Sequence, residues 1–94
     1  MPTIDVRQEQ ETPRGWTYDV VLTRGQAATE HQVTLSWADH DYWSGGSIPP
    51  SRVLEAVLAW LADEHPEFAW AGHFDASTVR RRFPEIDETL GRRL

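Results

Sequence analysis

Two runs of this chain carry side chains of metal-binding type: Asp39-His40-Asp41 and, further on, His73 and Asp75. Their spacing works against a shared ion. On a helix, residues two apart point about 200° away from each other, so Asp39 and Asp41 diverge. On a strand those two share a face, and His40 points to the other. Asp75 precedes a helical run and is better used as its N-cap. The spacing therefore predicts solvated helix and turn residues, with no metal and no cofactor. Ser44 or Ser47 could act as a nucleophile with His40 or His73 as base, but nothing in the sequence orients such a pair. No GxSxG, HExxH or Gly-rich phosphate loop occurs, and Gly45-Gly46 reads as a helix stop. The chain has no Cys, which excludes thiolate catalysis, disulfides and Cys-ligated zinc. The expectation is a protein that is not an enzyme. A small metal-dependent hydrolase built on Asp39, His40 and His73 stands third among the functional readings.

Phosphate chemistry is the second possibility. Arg80, Arg81 and Arg82, with Arg92 and Arg93, form the one basic cluster. Three consecutive helical residues spread over about 200°, so they make no single stripe. Cations also suit the C-terminal end of a helix, and Glu85, Asp87 and Glu88 follow closely enough to neutralise them. The net charge of −6 opposes broad nucleic-acid binding. A nucleic-acid-associated protein using Arg80–Arg82 is the alternative reading.

The third resource is aromatic. Five Trp occur in 94 residues. Trp16 and Trp37 fall in register with strand core positions, Trp60 lies at the edge of a helix stripe, and Trp43 and Trp70 lie in connections. They either close the rim of a small core or leave Tyr42, Trp43 and Trp70 as an exposed patch. The leading functional expectation is a small protein-binding or interaction module, with Tyr42, Trp43, Trp70, Arg80 and Arg81 as candidate contact residues. Its partners would be another protein or a second copy of the chain, with nucleic acid disfavoured and no membrane.

The elements that carry these residues follow from periodicity. Residues 3–10 alternate, with Ile4 and Val6 on one side and polar residues beyond, as an edge strand does. Thr12-Pro13-Arg14-Gly15 marks a turn. Trp16, Tyr18, Val20 and Leu22 alternate with polar or β-branched residues, and so do His31, Val33, Leu35 and Trp37 after a turn at Arg24–Ala28. Three strands thus form an antiparallel meander with one apolar face. From Pro50 to Glu64, residues Val53, Leu54, Val57, Leu58, Trp60 and Leu61 fall within an arc of roughly 160°. This helix starts with Pro50 at its first position, where the missing N–H costs nothing. It stops near Glu64, because Pro66 moves His65 out of the α region. Asp63 and Glu64 have the wrong sign for its end, which leaves room for a partner cation.

Between strand and helix, Ser36 with Asp39 resembles a capping pattern for one or two helical turns ended by Gly45-Gly46. After Pro66 the aromatic loop EFAWAGH should tuck under the main helix. Asp75 then caps a helix that runs through Val79 and Phe83, with Phe74 and Val79 as a hydrophobic staple. Ile86 and Leu90, four apart, belong to a final helical turn or a frayed tail. The fold class expected is α+β: a three-stranded antiparallel meander packed against one main helix, with short C-terminal helices, all in one domain over residues 1–94.

The run from His73 to Glu85 holds an FDxSxVxRxFPE pattern and resembles the C-terminal signature of a group of small uncharacterised bacterial proteins. Those chains also have an N-terminal strand region and a Pro-initiated helix. The resemblance covers roughly the second half of the chain. It implies the same architecture and transfers no site residues. All nine cations are Arg, which fits the codon bias of a GC-rich bacterial genome. The N-terminal residues lack the apolar run of a signal peptide, so the expected setting is cytoplasmic.

Overall fold

Alternation and turn chemistry build most of the sheet. The computed structural model describes residues 2–94. Strands β1 (Thr3–Thr12), β2 (Gly15–Arg24) and β3 (Ala27–Ser36) form the antiparallel meander. A fourth strand, β4 (His73–Asp75), lies parallel to β3, giving the order β1-β2-β3-β4. The sheet is therefore mixed and four-stranded, where the sequence predicts three strands. Three residues are too few to show alternation, and β4 is held by what it pairs with. Parallel neighbours need a long crossover. Here it is made by helices α1 (Trp37–Ser44) and α2 (Pro50–Glu64). Helix α3 (Ala76–Arg82), helix α4 (Ile86–Thr89) and a 3₁₀ turn (Leu90–Arg92) complete the chain.

Register puts Trp16 opposite Leu35, Tyr18 opposite Val33 and Val20 opposite His31, and the helices cover that face. Val53, Leu54, Val57, Leu58 and Leu61 of α2 are fully buried against it. Helix α2 begins with Pro50, carries no side-chain cap, and ends where His65 leaves the helical region at φ −134°. The cation for its acidic end is Arg93, whose Nη1 lies 3.0 Å from Asp63 Oδ2. Ile86 and Leu90 are buried, so the last segment is docked on the core rather than frayed. The loop aromatics divide: Phe68 packs edge-on against Phe83, whereas Trp70 packs against Phe74 beside β4.

Two details of the meander depart from simple alternation. Trp37 is not a strand core residue. It is the first residue of α1 and 48% exposed. Ser36 ends β3 as the N-cap, its Oγ accepting from Asp39 N–H at 3.1 Å, and this cap turns the chain before Trp37 can face inward. In β1, Gln8 and Glu9 together stand opposite Tyr18, a bulge with Gln8 at φ 56°. The extra residue re-aims Glu9 toward the core side. There its carboxylate accepts the Tyr18 hydroxyl at 2.5 Å. Burial, then Glu9, pushes the Tyr18 hydroxyl well above its ordinary pKa.

No helix among the described residues is long and apolar enough to cross a membrane.

Candidate functional site

Helix α1 is short, and its inner side is polar. At 100° per residue, Asp39, His40 and Trp43 share one side, while Trp37, Ala38, Asp41 and Tyr42 share the other. Asp39 is 7% exposed, a correction to the expectation of a solvated residue. Helix α3 explains its burial by bringing Arg80 against it. Arg80 Nε donates to Asp87 Oδ1 at 3.1 Å and Oδ2 at 2.9 Å, and its Nη1 donates to Asp39 Oδ1 at 3.4 Å. Its guanidinium carbon sits 3.8 Å from the centre of the Tyr42 ring. Trp43 Nε1 donates to Asp87 Oδ1 at 3.0 Å. One guanidinium thus ties α1 to α3 and to α4, with Tyr42 as its outer lid.

Two carboxylates share this one cation, and the balance is uneven. Hydrogen bonding to Asp87 holds the Arg80 guanidinium above its already high pKa. The Asp39 carboxyl is raised above the ordinary carboxylate value. Burial is the main cause, and the Asp75 carboxylate adds to it; the charge of Arg80 and the hydrogen bonds of Ser36 and Arg80 offset only part. Asp39 Oδ2 is buried with no hydrogen-bond partner among the described residues.

The outer side of α1 is apolar for its size. Trp37 and Tyr42, at 48% and 58% exposure, are the two most exposed large hydrophobic residues described. Trp16 supports Trp37 edge-on at 6.5 Å between centroids and packs edge-on against His40 at 5.1 Å. His40 Nε2 donates to the carbonyl of Ile48 at 2.6 Å, which anchors α1 to the start of α2. Ser44 Oγ donates to the main-chain carbonyl of His40 at 2.7 Å. That bond engages the serine proton with the main chain, and the imidazole Nε2 is held by the Ile48 carbonyl, so the two are not paired as nucleophile and base.

The five candidate contact residues do not form one patch. Tyr42 is exposed, and Trp43 beside it is half-buried and bound to Asp87. Trp70 belongs to another cluster, against His31 at 5.3 Å and Phe74 at 5.8 Å. Arg80 is engaged with two carboxylates. Arg81 is exposed, with Thr78 Oγ1 at 3.5 Å. Sequence reasoning missed Trp37. The signal was available in Ser36-x-x-Asp39, since a helix starting at residue 37 removes Trp37 from the strand. Among the described residues, no group of three or more His, Asp or Glu is placed to hold a metal ion.

Compared with family models, with curated proteins and with solved structures, the chain finds no match.

Proposed function

We propose that the chain acts as a small protein-binding module of a bacterial cytoplasm, and that it docks through the outer side of α1. The observation that carries this reading is the placement of Trp37 and Tyr42, the two most exposed large aromatics, on one short helix. Trp and Tyr with surrounding apolar surface are the residues that dominate binding energy at interfaces. The inner side of α1 is anchored by Asp39, His40 and Trp43, so the aromatics stand on a rigid base and little ordering entropy is lost on docking. Asp41 on the same side and the net charge of −6 suit a neutral or basic partner surface. The engagement of Arg80 with Asp87 and Asp39 weighs against the nucleic-acid alternative, because a phosphate would have to displace a carboxylate that already holds it.

The test is a nuclease-treated pull-down from the source cells, using the wild type, Trp37→Ala/Tyr42→Ala and Arg81→Ala. A protein held by the wild type and by Arg81→Ala, and lost from the α1 double variant, supports the reading. Capture that needs nucleic acid, or a protein held equally by the double variant, overturns it.

A further inference from the structure

Strand β1 leaves one edge of the sheet open. Its inner edge is paired with β2 from Thr3 to Thr12. Among the described residues, no backbone hydrogen bond from outside the sheet reaches it. An open row of N–H and C=O groups is a template for another strand. The side chains at this edge are also incompletely covered. Ile4 and Val6 point to the core side, opposite Leu22 and Val20, yet they are only half-buried where those partners are buried. Next to them a groove of ≈ 380 Å³ runs between β1 and α2, with Ile4, Ala59 and Ala62 in its wall.

The charges along β1 indicate which strand fits. On the other face of the sheet Asp5 and Arg7 stand two residues apart. They pair within their own strand, with Arg7 Nη2 2.6 Å from Asp5 Oδ2, both more than half exposed. We propose that two copies of the chain form a two-fold dimer, β1 antiparallel to β1, centred on Val6. Each Asp5 then faces the Arg7 of the other copy. One intrastrand ion pair per chain becomes a cross-strand pair, and Val6 meets Val6 on the core side, where cross-strand contacts add stability. A shift of register by two residues one way sets Asp5 against Asp5. A shift the other way sets Arg7 against Arg7 and Asp5 against Glu9. Odd shifts put core side chains on the solvent face. Among the registers that keep the core side chains on one face before the bulge, the one centred on Val6 alone sets opposite charges against each other. The bulge at Gln8 and Glu9 bends the strand beyond it. It confines the new ladder to the stretch before it and prevents open-ended growth along the whole edge.

These 94 residues include no Cys, so a single introduced thiol reports the register. Sedimentation equilibrium of the wild type up to ~1 mM should show a monomer–dimer equilibrium. Arg7→Glu and Asp5→Arg should each weaken it about tenfold or more, because opposite charges become like charges at both symmetry-related pairs. The double reversal Asp5→Arg/Arg7→Asp should restore it. Under mild oxidation Val6→Cys should cross-link to a dimer and Asp5→Cys should not, since residues two positions out of register lie too far apart for a disulfide. Unchanged melting curves verify that the charge variants are folded. A wild type that stays monomeric to ~1 mM, charge variants that dimerise like the wild type, or cross-linking by Asp5→Cys in place of Val6→Cys would overturn the proposal.

Discussion

His31 and Asp39 are the two buried polar side chains among the described residues, at 8% and 7% exposure, and they sit in opposite states of satisfaction. His31 uses both ring nitrogens. Its Nδ1 donates to the carbonyl of Ala71 at 2.7 Å, since that oxygen can only accept, and its Nε2 lies 2.7 Å from the Thr29 hydroxyl oxygen, which can serve as either partner. Trp70 and Phe74 pack edge-on around the ring. Asp39 has one distant guanidinium bond, a second carboxylate nearby and a buried oxygen without a partner. Burial of an imidazole with matched partners costs little. Burial of a carboxylate whose cation is committed mainly to Asp87 is a standing cost. The difference separates a joint that stabilises the fold from one that tolerates strain beneath an exposed surface. His31 fastens β4 to the sheet, and Asp39 holds up α1.

This contrast can be tested by substitution. Leu58→Ala in the uncharged core sets the scale, with an expected loss of about 2–5 kcal/mol in urea unfolding. Arg80→Ala comes next, at about 3 kcal/mol, because it leaves Asp39 buried without its cation and frees Asp87 from its main partner. A loss below about 1 kcal/mol would show that the hub is a surface ion pair after all. His31→Phe keeps the ring packing and loses the two hydrogen bonds to Thr29 and Ala71, whose freed groups are open to water, at about 1 kcal/mol. Hydrogen exchange should quicken at Gln32, whose N–H donates to Gly72 O at 2.8 Å, as β4 loosens. Asp39→Asn is expected to stay within about 1 kcal/mol of the wild type at neutral pH, since it removes the buried charge and keeps the shape. If it costs as much as Arg80→Ala, the charge of Asp39 stabilises the hub and the contrast with His31 fails.

The pH dependence sharpens the same point. The folded carboxyl of Asp39 is raised above its ordinary value of 3.8. Between those two values the folded state binds more protons than the unfolded state, so stability falls as pH rises. The stability of the wild type relative to Asp39→Asn should therefore grow as pH is lowered from neutral. It should become flat below about 3.8, where both states are protonated. Paired urea titrations of the two proteins across that window measure this. A difference that shrinks on acidification contradicts the raised carboxyl.

Most of the fold is legible along the chain, because its signals are local. Pro50 at the first turn of α2, Pro66 after its end, Gly45 at φ 66° closing α1 and Asp75 accepting from Ser77 N–H at 2.8 Å all act within a few residues. The candidate surface was legible only in part. Tyr42 could be named from the sequence, whereas Trp37 was hidden by an alternation that continues into the first residue of the next helix. Trp43 and Trp70 look alike in the sequence and part company in the fold, one bound to Asp87 and the other set beside His31.

Periodicity, caps and prolines specify which residues form the strands, the main helix and its apolar arc, since each depends on the backbone and side chains of near neighbours. They leave open the fate of the polar residues between those elements. Asp39 and Arg80 are 41 residues apart, and His31 and Ala71 are 40 apart. Strand β4 exists because Gln32, Val33 and Thr34 present an edge to it. Long-range packing assigned the half-buried Arg80 to the hub beneath Tyr42 and left Trp37 and Tyr42 facing outward. No local pattern encodes that choice, because the desolvation and pairing energies that decide it arise only when distant segments meet.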